Sequence, residues 1–300
     1  MTTAAVFDVE AGTGRRARWG RLAAPYLLVL PSALFVTLVF GWPIVSGLGD
    51  AFTDGGALTL THWRRMVADQ QFWPAVRNTL LLIAVIIPLQ FAFAIGMALL
   101  LQARPRLSGL YFYIWVVPLA VSDLAAGLVW LSIFADRGYL NSFLDWFGVD
   151  LVEWLSYQNT NTMFLAVVVA EIWRATSLVL VIVVAGMQLV PRDYDEAAQV
   201  FGASFWQRMR HVVLPQLKPS LQVALILRTI LALQTFAVAQ ALTGENFPLL
   251  VGKSYQWTVR LYDQPVGSAF ATLLLAIATA FSIAYLWLLR PARGERGGGR

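Results

Sequence analysis

Long apolar runs alternate with short polar segments along almost the whole chain. A helix needs about 20 apolar residues to cross a bilayer. The runs that reach this length cover residues 23–48, 78–102, 109–135, 162–190, 220–243 and 266–289. The pattern predicts an all-α integral membrane protein with six transmembrane helices. Residues 22–290 form its membrane domain, and residues 1–21 and 291–300 are polar tails.

The composition supports a multi-pass membrane protein and argues against disulfides and metal sites. Hydrophobic residues make up 58% of the chain and charged residues 13%, a balance that is untypical of soluble domains. Cysteine is absent, which excludes disulfides and thiolate metal sites. The two histidines, His62 and His211, fall in loops on opposite sides of the predicted membrane, so we predict no metal site.

Basic residues are concentrated on one side of the predicted membrane. Fourteen lysines and arginines lie in the two tails, with Arg290 counted in the second, and in the loops 103–108 and 191–219, whereas six lie in the other loops. Because basic residues favour the cytoplasmic side, both termini and the loop 191–219 are predicted to be cytoplasmic. We expect contacts to the lipid bilayer and no binding of nucleic acid.

The loop 191–219 has the most specific pattern in the chain. Glu196-Ala197-Ala198 is followed at fixed spacing by Gly202 and then by Leu214-Pro215. Asp193 and Glu196 have the spacing of a capping box, and a glycine at 202 suits a left-handed helix end. A short first helix is therefore predicted, and its apolar face consists of Tyr194, Ala197, Ala198 and Phe201.

A second short helix is predicted after Gly202. Ser204 and Gln207 have the spacing of another capping box. Pro215 and Pro219 are predicted to end this helix before the fifth transmembrane span begins.

The spacing EAA-x3-G-x9-(I/V)-x-L-P resembles the EAA loop of ABC importer permeases, through which the membrane subunit docks on its ATPase. We therefore call residues 191–219 the EAA loop. The resemblance implies that ATPase coupling depends on Glu196, Ala197, Ala198, Gly202, Leu214 and Pro215.

Other segments extend the resemblance over roughly residues 20–290. They lie in order along the chain: Pro118, Gly138–Asn141, Trp154-Leu155, Glu171–Arg174, Gly186–Pro191 and Leu242–Gly244. The set is similar to the carbohydrate-uptake branch of ABC permeases, the maltose, trehalose and glycerol-phosphate type. This implies an ATP-driven importer of a sugar or sugar-like solute that works by alternating access in a bacterial or archaeal plasma (inner) membrane. The implied partners are a second homologous permease, two ABC ATPases and an extracytoplasmic solute-binding protein.

The chain departs from that family at two places and lacks ATP-binding motifs. Phe201 stands where an acidic residue is common, and Glu245-Asn246 where glycines are common. Gly252-Lys253-Ser254 resembles the end of a phosphate-binding loop, but Phe247 occupies the position of its first glycine. We expect no cofactor in this chain, with ATP and Mg²⁺ held by the ATPase subunits.

Four ionisable residues fall inside predicted spans, where charge is costly and must find partners: Asp123, Glu171, Arg174 and Arg228. Glu171 and Arg174 are three residues apart on one helix face and are predicted to pair. Asp123 and Arg228 have no such neighbour, and one hypothesis is that they bridge spans three and five.

Aromatic and polar residues in the spans are candidates for a sugar pathway, because sugars stack on rings and hydrogen-bond amides and carboxylates. The candidates are Asp123, Trp115, Trp130, Trp173, Arg228, Gln234 and Phe236. The alternative for each aromatic is a lipid-facing or interfacial position. Gln234 and Phe236 do not share a helical face.

Two other classes of function stay open. An ion-coupled secondary transporter would explain the charges inside the membrane, although such folds show internal repeats. A membrane enzyme or a non-catalytic assembly scaffold is the other alternative, but the sequence has no nucleophile–base arrangement. We predict a transport subunit that is not itself an enzyme.

Overall fold

The computed structural model describes residues 26–102 and 106–289. The two predicted tails, the first residues of the first span and Arg104 lie outside the described residues. The described helices are, in chain order, α1 (Tyr26–Phe52), α2 (Thr61–Ala68), α3 (Phe72–Gln102), α4 (Ser108–Val116), α5 (Asp123–Phe134), α6 (Tyr139–Asp145), α7 (Thr160–Gln188), α8 (Arg192–Val200), α9 (Phe205–Leu233), α10 (Ala237–Thr243), α11 (Leu250–Tyr255) and α12 (Gln264–Leu288). A small hairpin of β1 (Thr53–Asp54) and β2 (Ala57–Leu58) follows α1.

The described helices account for all six predicted spans. Helices α1, α3, α7 and α12 are each long and apolar enough to cross a membrane alone. The third and fifth spans are bent pairs, formed by α4 with α5 and α6, and by α9 with α10. The all-α membrane fold is therefore confirmed, but two of its spans are not the straight helices that the apolar runs predicted.

The third span turns by 105° instead of continuing as one helix over 109–135. A short 3-10 segment, Val117–Ala120, contains Pro118, which cannot donate a backbone hydrogen bond. Ser122 then caps a new helix, because its Oγ accepts a hydrogen bond from the Ala125 amide at 3.2 Å. The proline and the cap together turn α5 away from α4.

The fifth span begins much earlier than predicted. Helix α9 runs through Pro215 and Pro219, so the prediction that these prolines end a short helix was wrong. A π-helical turn, Met209–Val213, precedes Pro215 and shifts the hydrogen-bond ladder where the proline lacks its donor. The segment between the two prolines stays helical because it is held by buried packing. Leu217, in that segment, is fully buried.

The core of the bundle forms around α7. It packs along α3 and α9, and its buried side chains include Met163, Val167 and Val179. Two glycines allow close helix crossings: a Cβ on Gly127 would lie 2.6 Å from the Ala241 Cβ, and one on Gly186 would lie 2.5 Å from the Ser220 Oγ. These contacts fix α5 against α10 and α7 against α9. In contrast, α1 packs along α12 and exposes its apolar side chains, as a lipid- or partner-facing helix does.

Candidate functional site

A buried polar network joins three spans at the level of Arg228. Its Nη2 donates to the Glu171 Oε2 at 2.8 Å, and its Nε donates to the Gln90 Oε1 at 2.7 Å. The Gln90 Nε2 donates in turn to the Glu171 carbonyl at 2.8 Å. All three side chains are buried. Gln90 was missed from sequence, although a single amide within the apolar run of the second span was a usable signal.

The network continues from Glu171 towards the bend of the third span. Arg174 contacts the Glu171 carboxylate at 3.2 Å, and its Nη1 donates to the Asp123 Oδ1 at 2.7 Å. The predicted pair of Glu171 and Arg174 is confirmed. The hypothesis of a direct pair between Asp123 and Arg228 was wrong, because Arg174 and Glu171 lie between them. Asp123 sits in the first turn of α5, beside α7, and half of its side chain is exposed.

The candidate aromatic residues form separate groups. Trp130 stacks on Phe134 with ring centres 5.4 Å apart and meets Trp173 edge-on at 6.0 Å. The Trp130 Nε1 is buried without a hydrogen-bond partner among the described residues. Trp115 instead packs with a different part of the core, against α3 and α7. Trp130 and Trp173 are thus brought together, and Trp115 is not.

The bend of the fifth span separates Gln234 from Phe236. Gln234 ends α9 and is exposed, whereas Phe236 precedes α10 and packs against Tyr255 with ring centres 4.9 Å apart. Phe236 therefore belongs to the end of the bundle that carries α11, and Gln234 lies at the break.

At that same end, a buried ion pair ties α11 to the start of α3. The Lys253 Nζ lies 2.7 Å from the Asp69 Oδ2, which also accepts from the Trp257 Nε1 at 2.8 Å. Burial by itself raises the pKa of Asp69. Hydrogen bonds from Lys253, from the Gln71 amide and from Trp257, together with the Lys253 charge, outweigh it and lower the pKa below its ordinary value of 3.8.

The loop between α5 and α7 is organised by Asn141. Its Nδ2 donates to the carbonyls of Asp136 and Val152 at 3.0 and 2.9 Å. Its Oδ1 accepts from the Trp154 Nε1 at 3.1 Å and from the Val152 amide at 3.3 Å. This explains why Asn141 and Trp154 occur together in the sequence: one buried amide fixes the path of the loop.

The EAA loop contains the predicted turn at Gly202. Its φ angle is +77°, and the Gly202 and Ala203 amides donate to the carbonyls of Gln199 and Ala198. This pattern is a Schellman motif, which ends α8 at a glycine. The capping box of Ser204 and Gln207 is present and begins α9. The predicted cap by Asp193 was wrong, because the N-cap of α8 is Pro191, two residues earlier, and Asp193 lies inside the first turn of the helix.

The face of α8 that carries the alanines is open. Tyr194 and Phe201 are largely exposed, as are Glu196 and Ala197. Helix α8 is tied to α9 by Arg208, whose Nε lies 3.5 Å from the Asp195 Oδ1. Leu214 is partly buried against the core, and Pro215 is exposed. The EAA loop therefore presents an apolar surface that has no partner among the described residues.

Comparison with known proteins decides the family. Residues 90–293 match the family described as "Binding-protein-dependent transport system inner membrane component". This chain belongs to that family of permeases. It is consequently a transport component and not an enzyme, and the exposed EAA loop and the buried network are parts of a permease.

Relatives cover almost the whole permease. It is 31% identical to the sulfoquinovosyl glycerol transport system permease protein SmoG of Agrobacterium fabrum, over 92% of this chain and 94% of that protein. It is 32% identical to the trehalose/maltose transport system permease protein MalF of Thermococcus litoralis, over 87% and 92%. A crystal structure of a bacterial ABC transporter that imports alginate has the same fold, with a TM-score of 0.80 at 20% identity, over 92% of this chain and 98% of that chain.

Proposed function

We propose that this permease is one transmembrane subunit of an ATP-driven ABC importer for a sugar or sugar-like solute. The observation that carries the proposal is its similarity, along nearly the full length, to permeases named for sulfoquinovosyl glycerol and for trehalose or maltose. The trehalose transport system permease protein SugA of Mycobacterium tuberculosis is 28% identical over 99% of this chain. All three names refer to glycosides or sugars.

Coupling to ATP hydrolysis would run through the EAA loop. Its open apolar face gives an ATPase subunit a surface to bury, and the two small alanines allow close approach of another backbone. Because α9 continues from this loop into the fifth span without a break before Gln234, a push on α8 would reach the middle of the membrane. ATP and Mg²⁺ would be bound by the ATPase subunits.

The solute pathway would lie beside the buried network. Asp123 is the exposed end of the network, and Arg228 is its buried end, so Asp123 offers hydrogen bonds to a solute while Arg228 holds the helices in register. Trp130 and Trp173 form an aromatic pair next to it. Trp115, Gln234 and Phe236 remain candidates at other levels of the same passage.

The importer would contain further chains. We infer a second homologous permease, two ATPases and an extracytoplasmic solute-binding protein. A related alginate transporter has been crystallised in complex with an alginate pentasaccharide-bound periplasmic protein. The exposed α1 and the exposed face of α8 are surfaces on this chain that such partners and the bilayer would cover.

Reconstitution tests the proposal against its rivals. The permease with its partner permease, ATPases and binding protein is placed in proteoliposomes, and uptake of radiolabelled trehalose and maltose is measured. We expect uptake that requires ATP and the binding protein and that a protonophore leaves unchanged. Uptake driven by an ion gradient without ATP would establish a secondary transporter instead, and no uptake of either sugar would exclude trehalose and maltose as the solutes.

Orientation is tested with single cysteines, which the natural chain lacks. Tyr157 lies just before α7, and Val200 lies in the EAA loop that follows α7. Both side chains are well exposed. In intact cells, a membrane-impermeant maleimide should label Tyr157→Cys but should label Val200→Cys only after permeabilisation. The reverse pattern would place the EAA loop outside the cell and remove it from any ATPase.

A further inference from the structure

A pocket lies in the loop between α5 and α7, at the end of α7 away from the EAA loop. Its cavity volume is about 220 Å³. One water needs about 10–15 Å³ of such space, so the pocket has room for a group of many atoms. The lining residues that bear on its chemistry are Asp136, Arg137, Ser142, Asp145, Val149 and Leu151.

The two walls of the pocket are α6 and the chain that returns along it. The Val149 amide donates to the Leu144 carbonyl at 3.2 Å across Gly148, whose φ angle is +72°. This bond closes the end of α6 as in a Schellman motif and reverses the chain. Asn141, within α6, then bonds both the carbonyl and the amide of Val152. The returning segment is therefore fixed beside the helix, and the pocket lies between the two.

Charged side chains of both signs line the pocket without pairing with one another. Asp136, Arg137 and Asp145 are exposed, and none of their side chains forms an ion pair or a hydrogen bond among the described residues. All three charges are therefore available to a ligand. A guanidinium group binds phosphate through paired N–H groups, and a carboxylate accepts hydrogen bonds from an ammonium group. The set suits a ligand that carries both a phosphate and an amine.

Helix α6 exposes an aromatic face next to the pocket. Tyr139, Phe143 and Trp146 follow one another at helical spacing, and their side chains are 75%, 53% and 83% exposed. By the same spacing, Ser142 and Asp145 lie along one edge of this face. The polar pocket and the aromatic surface are therefore continuous.

The aromatic face indicates the depth of the pocket relative to the membrane. Exposed tryptophan and tyrosine at the end of a span are typical of the headgroup level. Helix α6 follows α5, the last part of the third span, after a short turn. A short helix with an aromatic apolar face lies in the plane of that interface. Phospholipids supply phosphate, amine and acyl chains at this depth.

We propose that this pocket binds the headgroup of a phospholipid with a primary amine, such as phosphatidylethanolamine. The phosphate would pair with Arg137, and the ammonium group would donate to the carboxylates of Asp136 and Asp145. The acyl chains would lie on the aromatic face of α6. A choline headgroup has no N–H to donate, and a glycerol headgroup has no cation, so both should bind more weakly. The inference goes beyond the proposed function and does not depend on the solute.

Native mass spectrometry of the complete, detergent-purified transporter tests the inference. The probes are phosphatidylethanolamine, phosphatidylcholine and phosphatidylglycerol with identical acyl chains, and glycerophosphoethanolamine, which has the amine headgroup without chains. We expect wild type to retain phosphatidylethanolamine in preference to the other two lipids, and glycerophosphoethanolamine not to compete at equal concentration. Arg137→Gln should weaken this retention about tenfold, as loss of charge-assisted hydrogen bonds does. Asp136→Asn combined with Asp145→Asn should remove the preference for the amine over choline.

Arg64→Gln and Asp150→Asn change exposed charges outside the pocket and are the matched controls. They should retain lipids as wild type does. The pocket variants should also melt with wild type, because the altered side chains are exposed and unpaired. Equal retention of phosphatidylethanolamine by wild type and the pocket variants would refute the inference, as would a preference of wild type for phosphatidylglycerol or full competition by glycerophosphoethanolamine. Pocket variants that keep the lipid but lose affinity for the solute-binding protein would show that the pocket serves a protein instead.

Discussion

Arg228 and Glu171 form an ion pair at 2.8 Å in which neither side chain reaches solvent: Arg228 is 1% exposed and Glu171 is not exposed. Gln90 and Arg174 complete the surroundings of the pair. A buried pair of this kind adds little net stability over apolar residues, but loss of one partner leaves a charge stranded in the membrane. Together with the bonds of Gln90, the pair joins α3, α7 and α9, and these bonds require the three helices to keep their present arrangement.

We predict that breaking this pair from one side is severe. Glu171→Gln keeps the shape of the side chain but leaves Arg228 without a counter-charge, at a cost of about 3–5 kcal/mol. Thermal unfolding of the detergent-purified transporter should show the loss as a lowered midpoint. Arg260→Gln breaks an exposed pair with Glu245 and should cost less than about 1 kcal/mol, which makes it a matched control.

A double variant tests whether the stability loss of Glu171→Gln comes from the broken ion pair. Glu171→Gln with Arg228→Gln removes both buried charges and leaves Arg174 with Asp123, so it should recover part of the loss of either single variant. Strictly additive losses would show that Glu171 and Arg228 contribute independently.

Position 202 should require glycine for its backbone conformation and not for its small size. Its φ angle is +77°, yet nothing lies within 4 Å of a Cβ built there. Gly202→Val therefore meets no clash, but it places a β-branched residue in the left-handed region, where an ordinary residue costs about 1–2 kcal/mol and a β-branched one is a rare outlier. We expect ATP-driven uptake to be lost at normal expression.

Asparagine tolerates the left-handed region, so Gly202→Asn is the informative comparison. It should keep most of the uptake that Gly202→Val loses. Equal uptake by wild type and the valine variant would mean that coupling does not need this turn.

Asn141→Leu should release the loop between α5 and α7. The substitution leaves the Val152 amide and the Trp154 Nε1 without their acceptor, and each buried unsatisfied group costs about 1–3 kcal/mol. Limited proteolysis should cut residues 145–160 faster in this variant. Ser142→Ala, one position along the same helix, removes only a local bond to Gly138 and should be cleaved like wild type.

The order of the spans and their approximate positions, apart from the start of the fifth, could be predicted from sequence because a span needs sufficient apolar length and little else. The turn at Gly202 and the capping box at Ser204 were also predictable, since both depend on local backbone chemistry. The bend after Pro118 was not, because hydropathy does not distinguish a bent span from a straight one. The prediction at Pro215 failed for a related reason. A π-helical turn compensates for the hydrogen-bond donor that the proline lacks, and no local signal marks that turn.

Partners across helices were the least predictable part of the site. Glu171 and Arg174 are neighbours by spacing alone, so their contact followed from the helix period. The partner of Arg228 depends on how α7 rotates against α9, which the sequence pattern leaves undetermined. Asp123 and Arg228 looked unpaired only because Gln90, Glu171 and Arg174 reach them from other spans.

The pair of Asp69 and Lys253 should make the end of the bundle that carries α11 sensitive to acid. The pKa of Asp69 in the folded protein is lowered from 3.8, so its ionised form is stabilised by folding. That contribution is fully present above pH 3.8 and is lost as pH falls through the lower folded pKa. Asp69→Asn should therefore lower the thermal midpoint at pH 7, and the gap to wild type should shrink as pH falls below 3.8.

Asp54→Asn changes an exposed aspartate in the nearby hairpin and should follow wild type at every pH. A gap between Asp69→Asn and wild type that stays constant down to the lowest pH would show that the hydrogen bonds of Asp69, and not its charge, hold α11 to the start of α3.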